Sequence, residues 1–153
     1  MSHSNENSLI GGLTRGVAAG AIGTAVMTGA QTAYYKAVGA EPSTTPAEVG
    51  QRVARGVLKR PVPEDQTGTL NNVMHWLYGT GWGALFGLTA AGREPGLGLG
   101  FAVTVWGASQ VELPAMKLAP PIWENPDPKT LAPDIGFHLV YGVAVATAYK
   151  ALS

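Results

Sequence analysis

The 153-residue chain contains no cysteine. That excludes a disulfide framework, a thiolate metal site and a cysteine nucleophile. Charge is the second shortage: charged residues make up only 13% of the chain, against about 25% in an ordinary soluble domain. Formal net charge is zero, so no global basic field points to a nucleic-acid partner. The first residues are polar and carry no basic segment ahead of the first apolar run, so the expectation is a retained first helix and not a cleaved signal peptide. Phosphate-loop, zinc-protease and serine-hydrolase motifs are missing as well. Gly96-x-Gly98-x-Gly100 lacks both the spacing and the preceding strand of a dinucleotide loop. The expectation is a non-enzymatic protein.

Glycine is what the chain has in quantity, 21 residues of it. Small residues recur at every fourth position within apolar stretches: Gly12/Gly16/Gly20, Gly79/Gly83/Gly87, Gly96/Gly100 and Gly142/Ala146. In water each helical glycine costs about 1 kcal/mol relative to alanine. In a bilayer the same residues let helix backbones approach and hold by dispersion. The pattern predicts one integral membrane domain over residues 1–153, with spans near 9–38, 70–91, 96–118 and 134–152. The predicted fold class is all-α: a four-helix transmembrane bundle made from two tandem helical hairpins.

Gly92-Arg93-Glu94-Pro95 is the expected turn between spans two and three. Two longer connections, 39–69 and 119–133, fall at one end of the bundle. Within the first, residues 46–59 read as a short amphipathic surface helix with Thr45 as N-cap and Pro46 in its first turn. Val49, Val53 and Val57 form its apolar stripe, beside Arg52, Arg55, Lys59 and Arg60. Such a helix suits a headgroup surface; equally, it suits a cover over the mouth of the bundle. Seven basic residues at this end against Arg15, Arg93 and Lys150 at the other favour it as the cytoplasmic end, with both termini outside.

The chain also repeats itself. His75-Trp76-Leu77-Tyr78-Gly79 opens span two, and His138-Leu139-Val140-Tyr141-Gly142 opens span four. A weaker echo links Gly29-Ala30-Gln31 to Gly107-Ala108-Ser109-Gln110. Four polar side chains fall at similar depth: Gln31, His75, Glu112 and His138. An ionisable group within a span is a functional hypothesis by default. His75 shares a face with Gly79, His138 with Gly142, and Glu112 with Ala108, since i and i+4 lie on one side of a helix. All three are therefore expected to point into the bundle. Pro114 would free the carbonyl of Gln110 beside them, and Tyr78 and Tyr141 would add hydroxyls.

Four readings of the cluster stand. The groups satisfy one another and hold the bundle together. Or they respond to protons, with Glu112 the acceptor, the histidines the titrating partners and Gln31 a support. Or His75 and His138 are axial ligands of a b-type haem. Or a His2Glu set binds zinc. Trp82 and Trp106 read as packing bulk or lipid-facing.

His75-x-x-Tyr78-Gly79, Glu112-Leu113-Pro114-Ala115 followed by Pro120-Pro121, and Phe137-His138-Leu139-Val140-Tyr141-Gly142 together resemble the YagU-like family of small multi-pass proteins, a family of unknown function. The resemblance covers a little under half the chain. It implies the bacterial inner membrane and no particular activity, substrate or cofactor. The expected partners are the lipid bilayer and either a homo-oligomer or a larger membrane complex.

Overall fold

A computed structural model describes residues 3–90, 96, 98–124 and 127–153, with side chains described from Leu9 onward. It is all-helical, with no strand among the described residues. Five α-helices follow one another: α1 (His3–Val38), α2 (Thr45–Val53), α3 (Thr67–Ala90), α4 (Leu99–Ala115) and α5 (Pro128–Ala151). A π-helical turn, Ala54–Leu58, extends α2, and a 3-10 turn, Glu64–Gln66, leads into α3.

The glycine periodicity sets how α1 meets α3. Gly12, Gly16, Gly20 and Thr24 line one face of α1, and Gly79, Gly83, Gly87 and Ala90 line the facing side of α3; all are buried. The helices run antiparallel in a single register. A Cβ placed on Gly16 would lie 2.7 Å from the Cα of Gly87, and one on Gly20 would lie 2.9 Å from the Cα of Gly83. No side chain fits between these backbones, so only glycine permits the approach.

The second hairpin repeats the device with more alanine. Gly142 of α5 faces Gly98 and Ala102, and a Cβ on Gly142 would come within 2.6 Å of the Gly98 carbonyl oxygen. Helix α5 also packs along α1, where Gly23 lies beneath Val145 and Tyr141. Helix α4 reaches α3 through rings: Phe101 stacks with Phe86 at 4.8 Å and lies 6.3 Å from Trp82. The helix order around the bundle is therefore α1, α3, α4, α5.

The interior combines small residues with a few buried rings, Tyr141 and Tyr149 at 2% exposed and Phe137 at 9%. Ala19, Ala102, Val145 and Thr24 are at most 1% exposed. Leu, Ile and Val stand outward on all four long helices, among them Ile10 (63%), Leu77 (61%), Val111 (70%) and Val143 (42%). A water-soluble bundle has the opposite arrangement.

Helix ends depart from the expected ones. Span four was expected from 134, yet α5 begins at Pro128 because Asp127 caps it, accepting from the Lys129 N–H at 3.1 Å; Pro133 sits inside its early turns. Span three was expected to 118, yet α4 stops at Ala115. There Lys117 adopts a left-handed conformation (φ 57°), with Leu118 N–H bonded to the Leu113 carbonyl at 2.9 Å. This is a Schellman stop with lysine in the glycine position. Gly96 lies before α4, and the expected Gly96/Gly100 pair does not pack: both are exposed with nothing within 4 Å of a Cβ there, and Gly98 and Ala102 make the contact with α5. Thr45 is inside α2, and Thr44 precedes it. Residues 91–95, including the expected polar turn, lie outside the described residues.

Two helices are long and apolar enough to cross a membrane, over Leu9–Val38 and Pro128–Ala151. At about 1.5 Å per residue, the 17 residues of α4 span about 26 Å, short of a hydrocarbon core of about 30 Å. The opening turns of α3 are polar, with Thr67, Thr69, Asn71, Asn72 and His75. Helix α3 is not one of the two.

Candidate functional site

The polar side chains gather at the end of the bundle that carries α2. Antiparallel packing brings the last turns of α1 and α4 beside the first turns of α3 and α5. Tyr34 and Tyr35 of α1 close over Phe137 of α5, with ring centroids at 5.5 and 6.0 Å.

His75 is half-buried on α3, and its Nε2 is 3.1 Å from the Thr28 hydroxyl of α1. This contact continues the glycine register by one further step, so threonine and histidine take the place of a glycine pair. Thr28 in turn donates to the Thr24 carbonyl at 2.8 Å, which leaves its oxygen as the acceptor for an imidazole N–H.

On α5, His138 Nδ1 is 2.8 Å from the Asp134 carbonyl oxygen and 3.5 Å from the Asp134 carboxylate. His138 is 13% exposed at its side chain and Asp134 is 43% exposed. The Trp106 indole N–H of α4 donates to that carboxylate at 2.9 Å.

Glu112 lies apart from the histidines. Its carboxylate accepts from the Tyr78 hydroxyl at 3.0 Å, and no ion pair joins it to either histidine among the described residues. Tyr141, 2% exposed, donates to the Gly79 carbonyl oxygen across the bundle. Gln31 is half-buried and makes no hydrogen bond among the described residues. The expected Gln31–His75–Glu112–His138 cluster thus separates into three neighbouring contacts: Thr28–His75, Trp106–Asp134–His138 and Tyr78–Glu112. Tyr141 spans the bundle below them.

Thr28, Trp106 and Asp134 did not figure in the expected cluster. A signal for Asp134 exists in the repeat. Extending it four residues upstream aligns Asn71-x-x-x-His75-x-x-Tyr78-Gly79 with Asp134-x-x-x-His138-x-x-Tyr141-Gly142. Trp106 is more than packing bulk, because its N–H is committed to Asp134. Trp82 does pack, edge-on to Tyr78 at 6.1 Å.

Among the described residues no group of three His, Cys, Asp or Glu side chains converges to hold a metal ion. The close helix approach around Gly79 and Gly142 also leaves little space for a porphyrin between His75 and His138. Every buried side-chain nitrogen or oxygen among the described residues has a partner. Such a layer ties helices together without needing a ligand.

Comparison of the chain with protein-family models, with curated proteins and with solved structures returned no match.

Proposed function

We propose that this chain is a non-enzymatic, multi-pass membrane module: a four-helix bundle whose polar end layer fixes how two hairpins pack. One observation carries the reading. Buried glycines line the contact faces of α1, α3 and α5, while most Leu, Ile and Val side chains of the four long helices, taken together, are exposed. Only 33% of the most apolar stretch of α1 and 28% of that of α5 is buried within the chain. A core helix of a soluble protein would be mostly covered. Helices α3 and α4 are not among these two, and in this reading they cross beside α1 and α5. The motif resemblance to YagU-like proteins supports the same placement in a bacterial inner membrane, as a building block of a homo-oligomer or a larger complex.

The test is extraction. Membranes carrying the chain are washed with alkaline carbonate and then treated with mild detergent. The expected result is full retention through the wash and release by detergent. A monodisperse chain in buffer with no amphiphile present ends the reading.

A second reading, a proton-responsive layer, draws on the contact of His138 with the partly exposed Asp134 at the layer's edge. Thr28, Trp106 and Tyr35 are the other polar groups packed around it. Thermal unfolding of the parent and of His138→Gln in detergent at pH 5 and pH 8 decides it. Identical pH dependence in both proteins removes the proton role and leaves the structural one.

A further inference from the structure

Helix α2 has two faces, and only one is used. Ala47, Gly50 and Ala54 are buried against Leu70 and Met74 of α3. Asn71 secures the contact, accepting from the Ala47 N–H at 3.0 Å and donating to the Ser43 carbonyl at 3.3 Å. Gln51 pins the returning chain through two bonds to Val62, at 2.7 and 3.1 Å. The helix is thus docked firmly on the bundle. Its valine stripe is only partly covered: Val49 is half-buried, while Val53 is 41% exposed and Val57 72%, with Leu58 beside them at 69%.

Beside that apolar edge lies an open groove of about 700 Å³, between α2, the start of α3 and Leu118. Arg52 and Arg55 line it, with Gln51, Thr44, Thr67 and Glu48. Glu48 is engaged by the Thr44 hydroxyl at 3.0 Å. Neither guanidinium has a partner among the described residues. Lys59 and Arg60 follow on the next turn, both exposed. Two unpaired guanidiniums lining one open groove match a phosphate group. Three exposed aliphatic side chains next to them match the acyl region just beneath it.

We infer that this groove binds the phosphate headgroup of an acidic phospholipid, with Val53, Val57 and Leu58 entering the acyl layer alongside. The inference rests on the membrane reading above. It adds a ligand class and a site to it.

The experiment uses the full chain in mild detergent, with native mass spectrometry after addition of equal amounts of phosphatidylglycerol and phosphatidylcholine. The parent is expected to retain phosphatidylglycerol preferentially. Each basic side chain near an anionic headgroup accounts for about fivefold in affinity, so Arg52→Gln/Arg55→Gln is expected to lower the preference by about thirtyfold. Both arginines are exposed, so the variant should fold, and unchanged thermal unfolding confirms it. Equal retention of the two lipids by the parent overturns the inference, as does a preference the double variant leaves intact. Inorganic phosphate at millimolar concentration is the second probe. If it displaces the lipid completely, the site recognises a soluble phosphate and the lipid assignment falls. Carbonate washing of the same preparation reports separately on membrane insertion. Should the chain wash off, its sedimentation with phosphatidylglycerol but not phosphatidylcholine vesicles, abolished by the double variant, still supports the lipid site.

Discussion

Gly83→Ala should weaken the bundle, while Gly81→Ala, two residues away on the same helix, should not. A Cβ on Gly83 would lie 2.5 Å from the Gly16 carbonyl oxygen and 2.7 Å from the Gly20 nitrogen. Both are backbone atoms of α1 and cannot rotate aside. Relief requires the helices to separate by close to 1 Å, since ordinary contact begins near 3.4 Å. A gap of that size forfeits about a quarter to a half of each dispersion well. With on the order of thirty atom pairs in the interface at about 0.1–0.2 kcal/mol each, the loss is about 1–2 kcal/mol. That agrees with the usual cost of overpacking, about 1–3 kcal/mol. Gly81 has nothing within 4 Å of its Cβ position, and alanine there should gain up to about 1 kcal/mol from helix propensity. The assay is reversible unfolding in mixed micelles with increasing denaturing detergent, read by circular dichroism. The reasoning fails if the two variants unfold together, or if Gly83→Ala matches the parent.

Tyr141→Phe removes a buried donor to the Gly79 carbonyl and should cost about 1 kcal/mol in the same assay. Tyr149→Phe, whose bond to the Gly87 carbonyl is a long 3.4 Å, should cost less, and the reverse order would count against the described packing. Lys117→Gly relieves a left-handed lysine (φ 57°) and should raise stability by about 1 kcal/mol, seen as a higher melting temperature. Haemin added to the detergent-purified chain should give no Soret band above free haemin, because His75 and His138 already have protein partners. A split Soret band lost in His138→Ala would restore the haem reading.

The helices were legible because small residues at a period of four, set in apolar stretches, match close helix packing and little else. Gly16 and Gly20 against Gly87 and Gly83 is the interface their spacing implies. Helix ends were harder to read. The start of α5 was written in Asp127-Pro128, an N-cap followed by a first-turn proline, but the five prolines of residues 119–133 read as loop throughout. The stop of α4 was invisible, because a lysine in the left-handed conformation carries no signature of its own. Facing was only half legible. The i+4 argument set the histidines beside Gly79 and Gly142, where they are. It failed to pair them with Glu112. Helix α4 leans on α5 through the buried Ala102 and Val105, and that rotation delivers Glu112 to Tyr78 of α3 instead. Rotation about a helix axis depends on every contact along it, so no pair of positions in the sequence reveals it.

The repeat explains why the same end of both hairpins is polar and yet chemically unlike. Asn71 and Asp134 occupy matching positions one turn before His75 and His138. Each ties its helix to a neighbouring element. Asn71 holds the backbone of α2 and its leading strand of chain, while Asp134 holds the Trp106 indole. A neutral amide suits the first task, since it must both donate and accept. A carboxylate suits the second, where it only accepts. The two halves therefore keep one helical frame and differ in what these matching positions hold. On this view Asp134→Asn should preserve the Trp106 contact through its carbonyl oxygen, while Asn71→Asp should release the Ser43 carbonyl and loosen α2. Hydrogen exchange of amides in residues 45–58 measures that directly. Faster exchange is expected in Asn71→Asp alone; equal protection in both variants would show that α2 is held by Leu70 and Met74 and not by the amide.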